Sequence, residues 1–271
     1  MRAFYILVVF LAVVAAQVAR ADAVDRFPYP LIEVPVDEAW DAWTARRDGP
    51  GTPIIVGNRV HLERLAQRLD PDAMLGLETP AEILALAADL PHPGGLYAMR
   101  EIEWRDFRAW ALENGNEALA AELGETFPPP LRPGELGEWD ANAPRQLALA
   151  ITTALKEPAY PTLFIAILPT ENAYEAAAYL RFGGWNASPA PEIHVAAARA
   201  WYTQYGAVPV VMLPDVLEFS VAEPPRTRQA AMDLALEFFY YDRDIVYQGT
   251  GSVAALGSAL LNAPFWFFWW D

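Results

Sequence analysis

The chain has 271 residues, 54% of them hydrophobic and 20% charged, with a formal net charge of -16. That composition is globular and can bury a core, and its acidity excludes the clustered Lys and Arg on which nucleic-acid binding and adsorption to an anionic membrane depend. There is no cysteine, so disulfides, zinc-thiolate sites and cysteine nucleophiles are excluded as well.

The first residues have the layout of an export signal: Arg2, an apolar run from Ala3 to Ala16, then Ala19-Arg20-Ala21 ahead of Asp22. The expected product, cleaved near Ala21, is periplasmic or secreted and has no stable membrane association. The alternative is an N-terminal membrane anchor, because residues 3–19 would make ~25 Å of helix, just short of a span.

Residues 22–125 read as a helix-rich α/β region. Leu31-Ile32-Glu33-Val34 predicts a short strand, and Trp40 and Trp43 lie at helical spacing after Asp37. Thr52-Pro53-Ile54-Ile55-Val56-Gly57 is a continuous apolar strand, with Asn58 placed to cap a helix over 59–69. Thr79, Pro80 and Glu82 spell the start of another helix: cap, first-turn proline and capping box. From 96 to 124 the pattern stays helical, with Trp104, Phe107, Trp110 and Ala111 as its expected buried stripe.

Residues 126–145 open on Phe127-Pro128-Pro129-Pro130 and read as a stiff linker, which divides this region from a C-terminal α/β domain over 146–271. In that domain Leu163-Phe164-Ile165-Ala166-Ile167-Leu168 is an interior strand, and a helix over 192–205 stops at Gly206. Two strands, 208–213 and 216–221, flank Pro214-Asp215 as a hairpin. Helices follow at 227–240 and 252–261. The chain closes on Phe265-Trp266-Phe267-Phe268-Trp269-Trp270-Asp271. As a strand this run points large aromatics to both faces, which predicts a central position in the sheet. The fold class is therefore α/β, with α+β as the alternative: a mixed sheet with flanking helices and the terminal aromatic strand central.

Three stretches could carry chemistry. Phe182-Gly183-Gly184-Trp185-Asn186 combines close backbone approach with stacking and hydrogen-bonding groups. Directly after it, one helical stripe carries His194, Trp201 and Tyr205. Asp244 and Gln248 sit in a loop before the last helix. A ligand-binding groove lined by Trp185, Asn186, His194, Trp201 and Asp271, with Asp244 and Gln248 at its rim, suits a protein partner or a small polar ligand. In the enzyme alternative, a hydrolase or transferase, His194 is the general base, oriented by Asp244 or Asp271. In the third reading all these residues are core. No histidine pair has zinc spacing and no phosphate-loop pattern occurs, so neither a metal nor a cofactor is expected.

The motifs Phe182-Gly183-Gly184-Trp185-Asn186, Pro191-Glu192 with His194-Val195, Trp201, Tyr205-Gly206, Asp244-Ile245-Val246 with Gln248-Gly249, and Trp266-Phe267-Phe268-Trp269-Trp270-Asp271 recur in the order seen in one bacterial family. From about Leu163 to Asp271 the chain closely resembles the family of domain of unknown function 4253. The resemblance carries over no activity, substrate or cofactor. The chain departs from it in its export signal and in lacking the cysteine some relatives place after the Gly-Trp-Asn turn.

Overall fold

The computed structural model describes residues 24–70, 79–156 and 161–270. The expected export signal and Asp271 lie outside the described residues. Six strands form one mixed sheet in the order β1-β3-β2-β4-β5-β6. They are β1 (Leu31–Pro35), β2 (Thr52–Gly57), β3 (Thr162–Leu168), β4 (Ala207–Met212), β5 (Val216–Val221) and β6 (Phe265–Trp269). Only the β2–β4 pairing is parallel. Because β2 lies between β3 and β4, strands from both sides of the Pro-rich segment interleave. That segment does not divide the sheet, and α/β with a mixed sheet and flanking helices describes the whole.

Local signals place the helices. Asn58 caps α2 (Arg59–Leu69) by accepting from the Val60 and His61 amides, and Thr79 with Glu82 closes a capping box on α3 (Pro80–Ala88). Earlier lies the short α1 (Ala39–Thr44), and after α3 come α4 (Gly94–Glu113), α5 (Glu117–Leu123) and α6 (Pro133–Leu136). Past β3 follow α7 (Ala176–Leu180) and α8 (Pro191–Tyr205), which Gly206 ends in the left-handed region. Beyond the β4–β5 hairpin lie α9 (Arg228–Tyr241), a π-turn over Ile245–Thr250, and α10 (Val253–Leu260), whose cap is Ser252.

The two faces of the sheet are covered unequally. On one, α2, α3 and α7 to α10 bury a core that includes Leu62, Ile83, Trp201, Phe238 and the inward residues of β6. On the other, cover comes from α1, through Trp43, and from Leu149 and Ile151. Within α4 the expected stripe holds at Ala111, which is fully buried, and in part at Trp104, which is half-buried, but not at the other two positions. Phe107 and Trp110 stack on each other, 5.6 Å apart, about half exposed.

The terminal strand is an edge strand and not the central one its composition suggests. Among the described residues it pairs on one side with β5 alone. Its residues alternate as two-faced burial requires: Trp266, Phe268 and Trp270 are buried, while Phe265, Phe267 and Trp269 are half-buried. The second face needs no further strand, because Trp40 meets Phe265 edge-on at 5.3 Å. Six aromatics in a row therefore fit an edge once one row of three fills the core.

Candidate functional site

The interior end of the site is an aromatic nest. Trp201 of α8 lies parallel to Phe268 at 5.4 Å, and Phe238 and Tyr241 of α9 close around both. Each such side chain removes roughly 150–250 Å² from water, on the order of 5 kcal/mol apiece before entropy is counted. The indole N–H of Trp201 donates to Glu237 Oε1 at 2.5 Å, and His92 Nε2 lies 2.7 Å from the same oxygen.

His194 sits about two turns before Trp201 and is 1% exposed. Its ring packs edge-on against Phe182, Tyr241 and Trp270 at 4.9, 5.3 and 5.4 Å. Nδ1 pairs with the Tyr241 hydroxyl, and Nε2 lies 3.2 Å from Ser188 Oγ. Burial, reinforced by the Arg100 charge, lowers its pKa to about 3, although a bond to the Pro189 carbonyl pulls the other way. The ring is therefore neutral, enclosed and bonded through both nitrogens, a poor start for a general base. Its polar partners are Tyr241 and Ser188, not Asp244.

Local chemistry explains why the glycine corner meets this ring. Gly183 has φ +98°, and a Cβ there would lie 2.1 Å from the Pro189 oxygen and 2.5 Å from the His194 ring, so only glycine fits. Gly184 donates to the Pro189 carbonyl at 2.7 Å, and Asn186 takes a positive φ of 49°. Arg100, 4% exposed, ties the corner down by donating to the carbonyls of Ala187, Tyr240 and Tyr241. Trp185 is half-buried and Asn186 exposed.

The expected groove therefore splits. The corner, the histidine helix and the last strand do converge, but on packed apolar atoms, and Trp201 and His194 face no solvent. Asp244 and Gln248 instead border a separate groove of about 340 Å³ on the open side of β6. Its floor is Phe265, Phe267 and Trp269, its far wall is Leu256 and Leu260 of α10, and Gln146 closes one end. Asp244 is half-buried and Gln248 exposed. Among the described residues no Lys or Arg lines it, and none form a His, Cys, Asp or Glu group placed to hold a metal ion.

Two buried carboxylates, neither of them in the groove expected from the sequence, hold the groove's walls. Glu218 of β5, fully buried, accepts from the amides of Ala150 and Ile151 and from the side chain of Gln146, at 2.6, 3.0 and 2.8 Å. Asp242, also fully buried, accepts from the Trp269 and Asp244 amides, each at 2.9 Å. Burial raises both to about 7, against the hydrogen bonds that favour the anions. The available signal was a lone acid inside the apolar run Val216-Leu217-Glu218-Phe219, and another directly after the apolar end of α9.

Fold and groove together define a mixed α/β domain whose last strand is an aromatic sheet edge with an acid-rimmed cleft beside it. Residues 164–271, from within β3 to the end of the sequence, match the family model described as domain of unknown function (DUF4253), so the C-terminal part of the chain is similar to that family. Neither a curated protein nor a solved structure matches the chain.

Proposed function

We propose that this protein is a binding domain that takes a protein segment or a small polar ligand in the cleft beside β6. The observation that carries the reading is the set of three half-buried aromatics, Phe265, Phe267 and Trp269, gathered with Gln146, Asp244 and Gln248 around one groove. Large aromatics with a few polar groups are the composition of recognition sites. The enclosure of His194 weighs against the enzyme alternative. Screening aromatic and amine fragments by ligand-observed NMR tests the proposal. Fragments that bind wild type and are lost in Trp269→Ala support it, whereas no bound fragment, or binding indifferent to that change, refutes it. The same reading includes action outside the cytoplasm, on the strength of the Arg2 to Ala21 pattern. Intact mass of protein from a cell envelope fraction is expected to begin at Asp22, and retention of Met1 would reassign the segment as an anchor.

A further inference from the structure

The open side of β6 presents main-chain groups as well as rings. Val221 donates to the Pro264 carbonyl at 2.8 Å and Trp270 to the Asp215 carbonyl at 3.1 Å. With the register Phe219↔Trp266 and Leu217↔Phe268, bonded and unbonded pairs alternate, so Trp266, Phe268 and Trp270 spend their main-chain groups on β5. The N–H and C=O groups of Phe265, Phe267 and Trp269 consequently point out from the sheet. The Trp269 amide confirms this parity, because it donates away from β5 to Asp242 Oδ2 at 2.9 Å. Among the described residues nothing pairs with the main-chain groups of Phe265 or Phe267. The groove runs along this same stretch.

We propose that the occupant of the groove is an extended, basic peptide segment of another protein, which adds to β6 as a seventh strand by pairing with the main chain of Phe265 and Phe267. The inference rests on the groove reading above and names its partner. Strand addition needs an exposed edge for affinity and side-chain pockets for specificity. Both are here: the outward main chain of Phe265 and Phe267, Leu256 and Leu260 on one side of the added strand, and the Phe267 ring on the other. The pairing is short, because Asp242 already occupies the outward amide of Trp269. The charge of the partner follows from the lining. Asp244 is the ionisable residue at the rim, no described Lys or Arg lines the groove, and the whole chain carries -16. An acidic segment would be repelled during approach and left unpaired when bound, whereas a Lys or Arg gains on both counts. A second copy of this chain is a poorer occupant, since it would bring its own net charge of -16 and set one Asp244 rim near another.

The test is a displayed library of random short peptides, selected on the full chain at low salt. Enriched sequences are expected to alternate β-branched or aromatic residues with polar ones and to carry Lys or Arg. A synthetic copy of an enriched peptide, N-methylated at the alternate residues that face β6, should bind about tenfold more weakly, as loss of main-chain hydrogen bonds demands. N-methylation of the intervening residues should change little. Asp244→Asn should weaken binding and flatten its salt dependence. The proposal is overturned if acidic peptides are enriched, if no peptide is enriched, or if both N-methyl patterns act alike. It is also overturned if the chain pairs with itself through this edge, seen as a concentration-dependent dimer lost in Phe267→Lys. If no peptide is enriched but fragments still bind the groove, strand addition falls and the binding reading stands.

Discussion

At one end of the sheet β1 turns the main chain of Leu31, Glu33 and Pro35 outward, as the bonds from Ile167 to the Pro30 carbonyl and from Val36 to the Pro161 carbonyl dictate. At the other end β6 turns out Phe265, Phe267 and Trp269. The first edge is defended in the usual manner, by a charge at Glu33 and by Pro35, which removes one outward donor. The second carries no charge and no proline within the strand, and is closed only at Trp269, by the buried carboxylate of Asp242. An edge left open for pairing is a liability that a folded chain ordinarily removes. One edge is sealed by its own sequence and the other is held by side chains from elsewhere in the fold, which makes the second adjustable.

The largest effect that follows is a dependence on pH contributed by the β6 side. Glu218 and Asp242 both have pKa values raised in the folded state to about 7. Their stabilising contribution is therefore fully present below the ordinary carboxylate range and is lost as pH rises through about 7. Each is worth on the order of 3 kcal/mol at the alkaline end. Chemical denaturation between about pH 5 and pH 8 should show stability falling, and Glu218→Gln or Asp242→Asn should each flatten part of the slope. Buried His194, its pKa lowered to about 3, pushes the other way below about pH 6.5, so the deciding readout is the difference between wild type and each variant: slopes unchanged by Glu218→Gln and Asp242→Asn would show that the hydrogen bonds to the two anions outweigh their desolvation.

Next in size is the hold on the edge itself. Asp242→Ala leaves the amides of Trp269 and Asp244 without their acceptor, at a cost of about 2–4 kcal/mol. Hydrogen exchange should then quicken in β6 and over residues 244–250 while β1 keeps its protection. Uniform quickening through the sheet would mean that Asp242 supports the fold at large and not this edge.

Much of this was legible in the sequence, and the division follows the range of the forces involved. Helix starts at Asn58, Thr79 and Ser252, the stop at Gly206 and the Pro214-Asp215 hairpin are set by neighbours within four residues, and the structure has them where the spacing predicts. The stripe of His194, Trp201 and Tyr205 was equally visible, as was its meeting with the Gly183-Gly184 corner. What the sequence did not carry was the order of strands, because pairing β2 between β3 and β4 joins Ile55 to Ile165 and to Val211, residues more than a hundred positions apart. The aromatic tail was misplaced for the same reason: alternation reports how many faces want cover, not whether that cover is a strand or the rings of Trp40. Glu218 escaped notice because its three donors come from residues 146–151, a stretch with no secondary-structure signal.

A difference of about 2–4 kcal/mol separates the two rows of β6. Phe268 is fully buried and its replacement by Ala should cost about 3–5 kcal/mol, but the same change at half-buried Phe267 should cost about 1 kcal/mol. Urea melts of the two variants make the comparison directly. Equal costs would place the outward row in a packed interior and leave no groove there.

The smallest effect belongs to the sealed edge. Glu33 accepts a hydrogen bond from the exposed Thr162 hydroxyl at 2.7 Å, so Glu33→Val should change stability by no more than about 0.5 kcal/mol. If Pro35 and the shortness of β1 are what close this side, the variant sediments as wild type does, because the outward main chain still lacks a donor at one of its three positions. If the charge is what closes it, Glu33→Val associates through β1 as concentration rises. That result would reduce the contrast between the edges to a single side chain, and the uncharged β6 edge would then need an occupant to keep the protein from pairing with itself.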